Sequence, residues 1–153
     1  MGCIENKNGE PVNTYIDAYL NVMSLYSYAG LFNPDDIKSE LIKKNKILAI
    51  KPCDLKNKCE DVCDALDLAL LFFKMRCGVR SIKDINYKLM LVVVSYILSN
   101  KSYREDSRTY DYLEAWYWIS IFSGYYNSDQ TERTITSIKK LINTIETKNA
   151  EWL

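Results

Sequence analysis

A chain of 153 residues fits one domain and, at that length, buries roughly 70% of its extended-chain surface, enough for a real core. Twenty Lys and Arg balance twenty Asp and Glu, which excludes a whole-molecule field pulling it to nucleic acid or an anionic membrane; any such contact must come from a local patch. The chain has no histidine, so Ser-His-Asp and Cys-His triads, HExxH zinc sites and His-containing nuclease motifs are excluded.

The N-terminus lacks the basic, apolar, small-residue order of a signal peptide. The longest apolar run, Leu89 to Val94 and then Tyr96 to Leu98 after Ser95, is too short to span a bilayer. A cytoplasmic protein without membrane contact is expected. Asn13 and Thr14 offer oxygens to cap a first helix whose apolar positions, Tyr15, Ala18, Tyr19, Val22, Met23, Tyr26 and Ala29, recur at three and four; Gly30 ends it. Asn33-Pro34-Asp35-Asp36 predicts the cap, first-turn proline and acids of a second helix, with Ile37, Leu41 and Ile42 facing inward. Residues 47–58 contain Pro52 and no sustained period, which predicts a connection, with room for a short extended piece at Ile47 to Ile50.

From Glu60 the pattern strengthens: Val62, Leu66, Ala69, Leu70 and Phe73 share a face, Leu68, Leu71 and Phe72 widen it, and Gly78 supplies a left-handed cap. Residues 86–99 carry β-branched side chains at 92 to 94 that suit a strand. The run is nevertheless too long and unbroken, which predicts a central helix. The polar residues 100–110 predict a loop. Tyr112 to Ser123 is apolar almost all round, with Leu113, Trp116, Tyr117, Ser120 and Ile121 on one side and Trp118, Ile119 and Phe122 on the other, which predicts a helix enclosed by others and closed by Gly124. Asp129 and Glu132 make a capping-box-like start for a last helix with Ile135, Ile138, Leu141, Ile142 and Ile145 inward. With no repeat, low-complexity stretch or Gly/Ser linker, the sum is all-α: one domain, residues 1–153, a single bundle of five or six helices.

Five cysteines, Cys3, Cys53, Cys59, Cys63 and Cys77, are an odd count that favours reduced thiols; Cys63 and Cys77 suit small core positions. The spacing of Cys53, Cys59 and Cys63 does not match a zinc knuckle. Asp61, Asp64 and Asp67 share a helix side where Mg2+ could be held, but acids are favoured near a helix N-terminus in any case. Asp106, Asp111 and Glu114 suit a solvated loop and helix start. Lys43, Lys44 and Lys46, with Lys51, Lys56 and Lys58, form one basic region, and Arg76, Arg80, Lys83 and Lys88 another. Interleaved acids favour ordinary surface charge, leaving Lys43, Lys44 and Lys46 as the candidate nucleic-acid contacts, salt-dependent and blind to sequence. The five glycines form no phosphate-binding array. Trp116, Trp118, Tyr125 and Tyr126, from the stretch WYWISIFSGYY, could stack bases or line a pocket; rings at helical spacing favour a structural aromatic corner. No catalytic, cofactor-binding or metal-binding residue is expected.

Three segments carry a family resemblance. NGEPVNTYIDAY (Asn8 to Tyr19) resembles a stretch ending the N-terminal domain of GmrSD-type, modification-dependent restriction endonucleases. CGVRSIKDINYKLMLVVVSYIL (Cys77 to Leu98) resembles their Gly-Ile, spacer, Leu-Pro-Tyr, apolar helix, and YLEAWYWISIFSGYYNSDQTERTITSIKKL (Tyr112 to Leu141) resembles their Trp-rich helix, Ser-Gly-Arg-Tyr-Ser corner and the helix after it. Order and spacing agree over about residues 8–143. Asn86 stands where Pro is usual, and Tyr125 and Asn127 replace the Arg and Ser flanking Tyr126.

The resemblance implies a parent with a ParB/sulfiredoxin-like, nucleotide-dependent N-terminal domain bearing Asp-Gly-Gln-Gln-Arg, a helical middle and often a C-terminal HNH nuclease, acting in phage defence on modified DNA. This chain has neither Asp-Gly-Gln-Gln-Arg nor histidine, so it resembles the helical middle alone. The expected function is a non-catalytic scaffold coupling those domains, with other domains of the parent, and DNA through its backbone, as partners and no cofactor of its own. The alternative is a self-contained helical adaptor or inhibitor that buries an aromatic groove against a partner helix. A carboxylate and Mg2+ enzyme is the third reading.

Overall fold

The computed structural model describes residues 10–151; Cys3, and Asn8 and Gly9 of the first family-like segment, lie outside the described residues. Among the described residues there are seven α-helices and no strand: α1 (Glu10–Tyr28), α2 (Lys44–Leu48), α3 (Pro52–Arg76), α4 (Leu89–Ser99), α5 (Lys101–Glu105), α6 (Ser107–Ser123) and α7 (Gln130–Thr147). The all-α bundle is as the sequence predicts, with two short helices added. None of the helices among the described residues is long and apolar enough to cross a membrane.

The centre is α4. Every residue from Met90 to Ser99 is buried, and the helix packs against α1, α3 and α7, which is what a helix apolar on all sides requires. Its polar groups are satisfied inside the core: Ser95 Oγ donates to the Leu91 carbonyl (2.6 Å), Ser99 Oγ to the Tyr96 carbonyl (2.6 Å), and Tyr96 Oη to the Ala29 carbonyl (2.6 Å). One apolar cluster runs from Ala18 in α1 to Ile145 in α7. α7 lays down Ile135, Ile138, Leu141, Ile142 and Ile145 on it, all buried as their spacing predicts.

Several local expectations are corrected. α1 is already helical at Glu10, so Asn13 and Thr14 lie within it instead of capping it, and Thr14 is buried. Gly30 is needed for closeness: a Cβ there would meet the Tyr26 carbonyl oxygen at 2.5 Å, and the left-handed turn falls on Phe32 (φ 57°). Asn33 does cap, its Oδ1 accepting from Asp35 N–H (3.1 Å), but in place of one helix the chain forms two separate 3-10 turns, Pro34–Asp36 and Ser39–Ile42. The break is at Ile37, which is extended (φ −85°, ψ 110°) and fully buried; tertiary burial of that side chain overrides a continuous helix. Ser24 Oγ donates to the Leu41 carbonyl and holds the second turn on α1.

The predicted connection over residues 47–58 is mostly helical. α2 occupies its start, and Pro52 opens α3 as a first-turn proline, eight residues before Glu60. Residues 52–61 of α3 bury none of their side chains, so no apolar period marks them in the sequence. At its other end α3 closes as expected, with Gly78 at φ 69° and Val79 N–H returning to the Phe73 carbonyl (3.0 Å). The predicted loop over residues 100–110 is instead two capped helix starts: Asn100 Oδ1 accepts from Ser102 N–H (3.0 Å) for α5, and Asp106 Oδ1 from Arg108 N–H (3.0 Å) for α6. The capping box of the last helix is not made. Asp129 sits in the left-handed region (φ 50°) and forms no side-chain cap.

Candidate functional site: the two faces of α6

α6 divides its aromatic content between two sides. Leu113, Trp116, Tyr117 and Ser120, each 4% exposed or less, face the core, whereas Trp118, Ile119 and Phe122 are 37%, 43% and 81% exposed. The expectation of an enclosed helix is therefore wrong on one side. Helical spacing explains the division: Leu113, Trp116, Tyr117 and Ser120 form one stripe, and Trp118 and Phe122, a turn apart, form the opposite one.

On the inner side the sequence-predicted corner is assembled. Gly124 adopts φ 66°, Tyr125 N–H reaches back to the Ser120 carbonyl (3.1 Å), and the chain turns so that Tyr126 enters the core with no exposed surface. The Trp116 ring meets Tyr126 edge-on at 6.2 Å, Tyr87 stacks on Tyr126 at 5.6 Å, and Tyr125 lies edge-on to it at 5.4 Å. Tyr126 Oη donates to Ser137 Oγ (2.8 Å), fastening the corner to α7, and burial pushes its phenol pKa up. Tyr87 Oη donates to Asn127 Oδ1 (2.5 Å), so Asn127 locks the turn. Tyr125 carries the Arg133 guanidinium 4.5 Å above its ring. Trp118 does not belong to the corner. It stacks outward on Phe122 (5.8 Å, 21°) and meets Tyr117 edge-on (5.0 Å).

α6 is fastened to α3 at its start and on its inner side. Arg76 Nη1 pairs with Asp111 (2.7 Å) and Glu114 (3.0 Å), and Phe73 meets Tyr117 edge-on at 5.7 Å. Asp111 and Glu114 are thus helix-to-helix fasteners and not merely solvated acids. Beyond that fastening α3 exposes Leu71 (53%) and Met75 (73%). Arg76 leaves the second predicted basic region to this ion pair. Of the candidate nucleic-acid contacts, Lys43 and Lys44 are exposed at the start of α2, and Lys46 lies 5.5 Å from the Tyr28 ring centroid.

Cys53 and Cys59 are exposed and Cys63 is half-buried, short of the core position expected, whereas Cys77 is buried; burial, with Glu114 adding and Arg76 opposing, pushes its thiol up to about 12. Asp61 and Asp67 accept long hydrogen bonds from Tyr26 (3.4 Å) and Tyr15 (3.5 Å) across to α1. Among the described residues no three His, Cys, Asp or Glu side chains are placed to hold a metal ion.

Two hollows remain. One, about 120 Å³, lies between α6 and α7 beside the corner and is lined by Trp116, Ile119, Ser120, Tyr125, Ser137 and Lys140, among others. The other, about 220 Å³, lies where α1, α2 and α4 meet, with Asp17, Asn21 and Lys88 around an apolar floor. Neither the outward Trp118–Phe122 stack nor these hollows are legible in the sequence. The only signal there is that α6 is apolar on both sides, which suits a buried helix and a helix with a second, outward-facing interface equally well. Comparison with family models, with curated proteins and with solved structures finds no match for the chain.

Proposed function

We propose that the chain is a non-catalytic helical scaffold of a GmrSD-like phage-defence restriction endonuclease, coupling its nucleotide-dependent and nuclease domains. The observation that carries the scaffold reading is the outer face of α6: a stacked Trp118–Phe122 pair with Ile119, held on a helix whose other side is locked into the core. A rigidly presented apolar aromatic face suits a permanent domain–domain contact, because aromatic side chains contribute most of the energy of such contacts. The parent family rests on the three sequence segments, and the cytoplasm is its expected location. Backbone contact with DNA is assigned to Lys43 and Lys44, with Lys46 beside them. Neutralising all three should weaken binding to plain and modified duplexes alike, and affinity unchanged by the triple change would exclude this basic patch as a DNA contact.

The scaffold is tested by co-expressing this chain with the domains encoded on either side of it. Co-purification that is lost in Phe122→Glu, with the far-UV spectrum and unfolding midpoint of the variant retained, is the expected result. Flanking sequence without an Asp-Gly-Gln-Gln-Arg or HNH domain would contradict the family, and co-purification indifferent to Phe122→Glu would contradict the face. A flank-free gene whose product binds an unrelated protein through the same face would favour the self-contained adaptor.

A further inference from the structure

We propose that the hollow between α6 and α7 is a binding site for a small carboxylate with a compact apolar body. Its volume, about 120 Å³, is close to that of an apolar protein cavity of roughly 150 Å³ that accepts benzene, so it has room for one ring or a short branched chain. Trp116, Ile119 and Tyr125 supply apolar walls on which such a body can lie. The polar lining is one-sided in its chemistry: the hydroxyls of Ser120, Ser123 and Ser137, and the Lys140 ammonium, with no carboxylate among the lining residues. Ser137 Oγ already accepts from Tyr126, which leaves its own proton to donate. Trp116, 2% exposed, carries a buried indole N–H that has no acceptor among the described residues, and an indole nitrogen can only donate. Donors and one positive charge around an apolar wall are complementary to a carboxylate. Ile119, Ser123 and Lys140 are exposed, so the hollow opens to solvent along the α6–α7 seam. Its rim at Ile119 is also part of the outer α6 face, which places a ligand next to the proposed domain contact without requiring that contact to exist.

The test is a titration of the 15N-labelled chain with sodium benzoate, at ionic strength held constant with sodium chloride, following the Trp116 indole N–H resonance identified through Trp116→Phe. Benzamide serves as the neutral isostere and inorganic phosphate as the anion without an apolar body. A saturable shift of the Trp116 indole with benzoate is expected at about 1 mM. It should be at least about tenfold weaker with benzamide and with phosphate, and weakened similarly in Lys140→Gln. Lys140 is exposed, so its variant should fold; Ile119→Trp, which fills the hollow from its rim, should abolish the shift. Absence of a saturable shift at about 10 mM benzoate would overturn the proposal. So would equal binding of benzamide, which would mark a merely apolar hollow, equal binding of phosphate, or a Lys140→Gln protein that binds as the native chain does.

Discussion

Gly124 lies at φ 66°, and a Cβ added there would stand 2.5 Å from the Asn127 amide nitrogen, whose carbonyl partner is held by Tyr87. Gly124→Ala therefore combines left-handed strain with displacement of the side chain that locks the turn. A loss of about 1–2 kcal/mol in urea denaturation is expected; an unchanged midpoint would mean that the corner rebuilds itself without the turn. Tyr126 joins the same corner through one hydroxyl in a fully buried site. Tyr126→Phe keeps the ring against Trp116 and Tyr87 and removes the hydroxyl's bonds to Ser137 and Thr134, so about 1–2 kcal/mol should be lost. A loss several times larger would show that the hydroxyl orders more than these two side chains.

Among the elements, the two aspartates that precede α6 and α7 look alike in sequence and behave differently in the fold. Asp106 accepts from Arg108 N–H, whereas Asp129 sits at φ 50° with no side-chain cap. Asp106→Ala should cost about 1 kcal/mol, and Asp129→Gly, which removes left-handed strain and no cap, should stay within about 0.5 kcal/mol of the native chain. Equal costs at the two positions would contradict the assigned caps. The same contrast separates what is legible in the sequence from what is not. Helices that bury a regular apolar stripe, such as α7 and the 62–76 part of α3, can be read from spacing, and so can α4 from being apolar throughout. The first turns of α3 and all of α5 cannot, because their side chains are polar and mostly exposed and their helicity stems from Pro52 and Asn100 at the starts. The corner of Trp116, Tyr125 and Tyr126 is legible because Gly124 marks the turn. The outward course of Trp118 is not, since spacing gives the angle between two faces of a helix but not whether a neighbour covers the second.

At the scale of the whole molecule, groups that the fold keeps protonated give a response to pH on the alkaline side. Burial, first among the causes, raises the Cys77 thiol from 9.0 to about 12 and, with Asp67 adding, the Tyr15 phenol from 10.0 to about 12. It also raises Tyr96, Tyr103 and Tyr126. Between the ordinary and raised values the unfolded chain has lost protons that the folded chain retains, so stability falls as pH rises. The contribution is complete below pH 9 and lost toward about pH 12. Urea midpoints should hold level up to about pH 9 and then decline, less steeply in Cys77→Ala relative to its own neutral-pH value. A midpoint unchanged at pH 11 would mean that these groups are not held neutral by the fold.

One side of α6 builds the protein and the other is left exposed. Urea denaturation of Trp116→Ala beside Phe122→Ala measures that division directly, since both remove a large ring from the same helix. The fold predicts a loss of about 3–5 kcal/mol for Trp116→Ala and less than about 1 kcal/mol for Phe122→Ala. Comparable losses, or a larger one for Phe122→Ala, would place the outer ring inside the fold and remove the surface on which the proposed scaffold function rests.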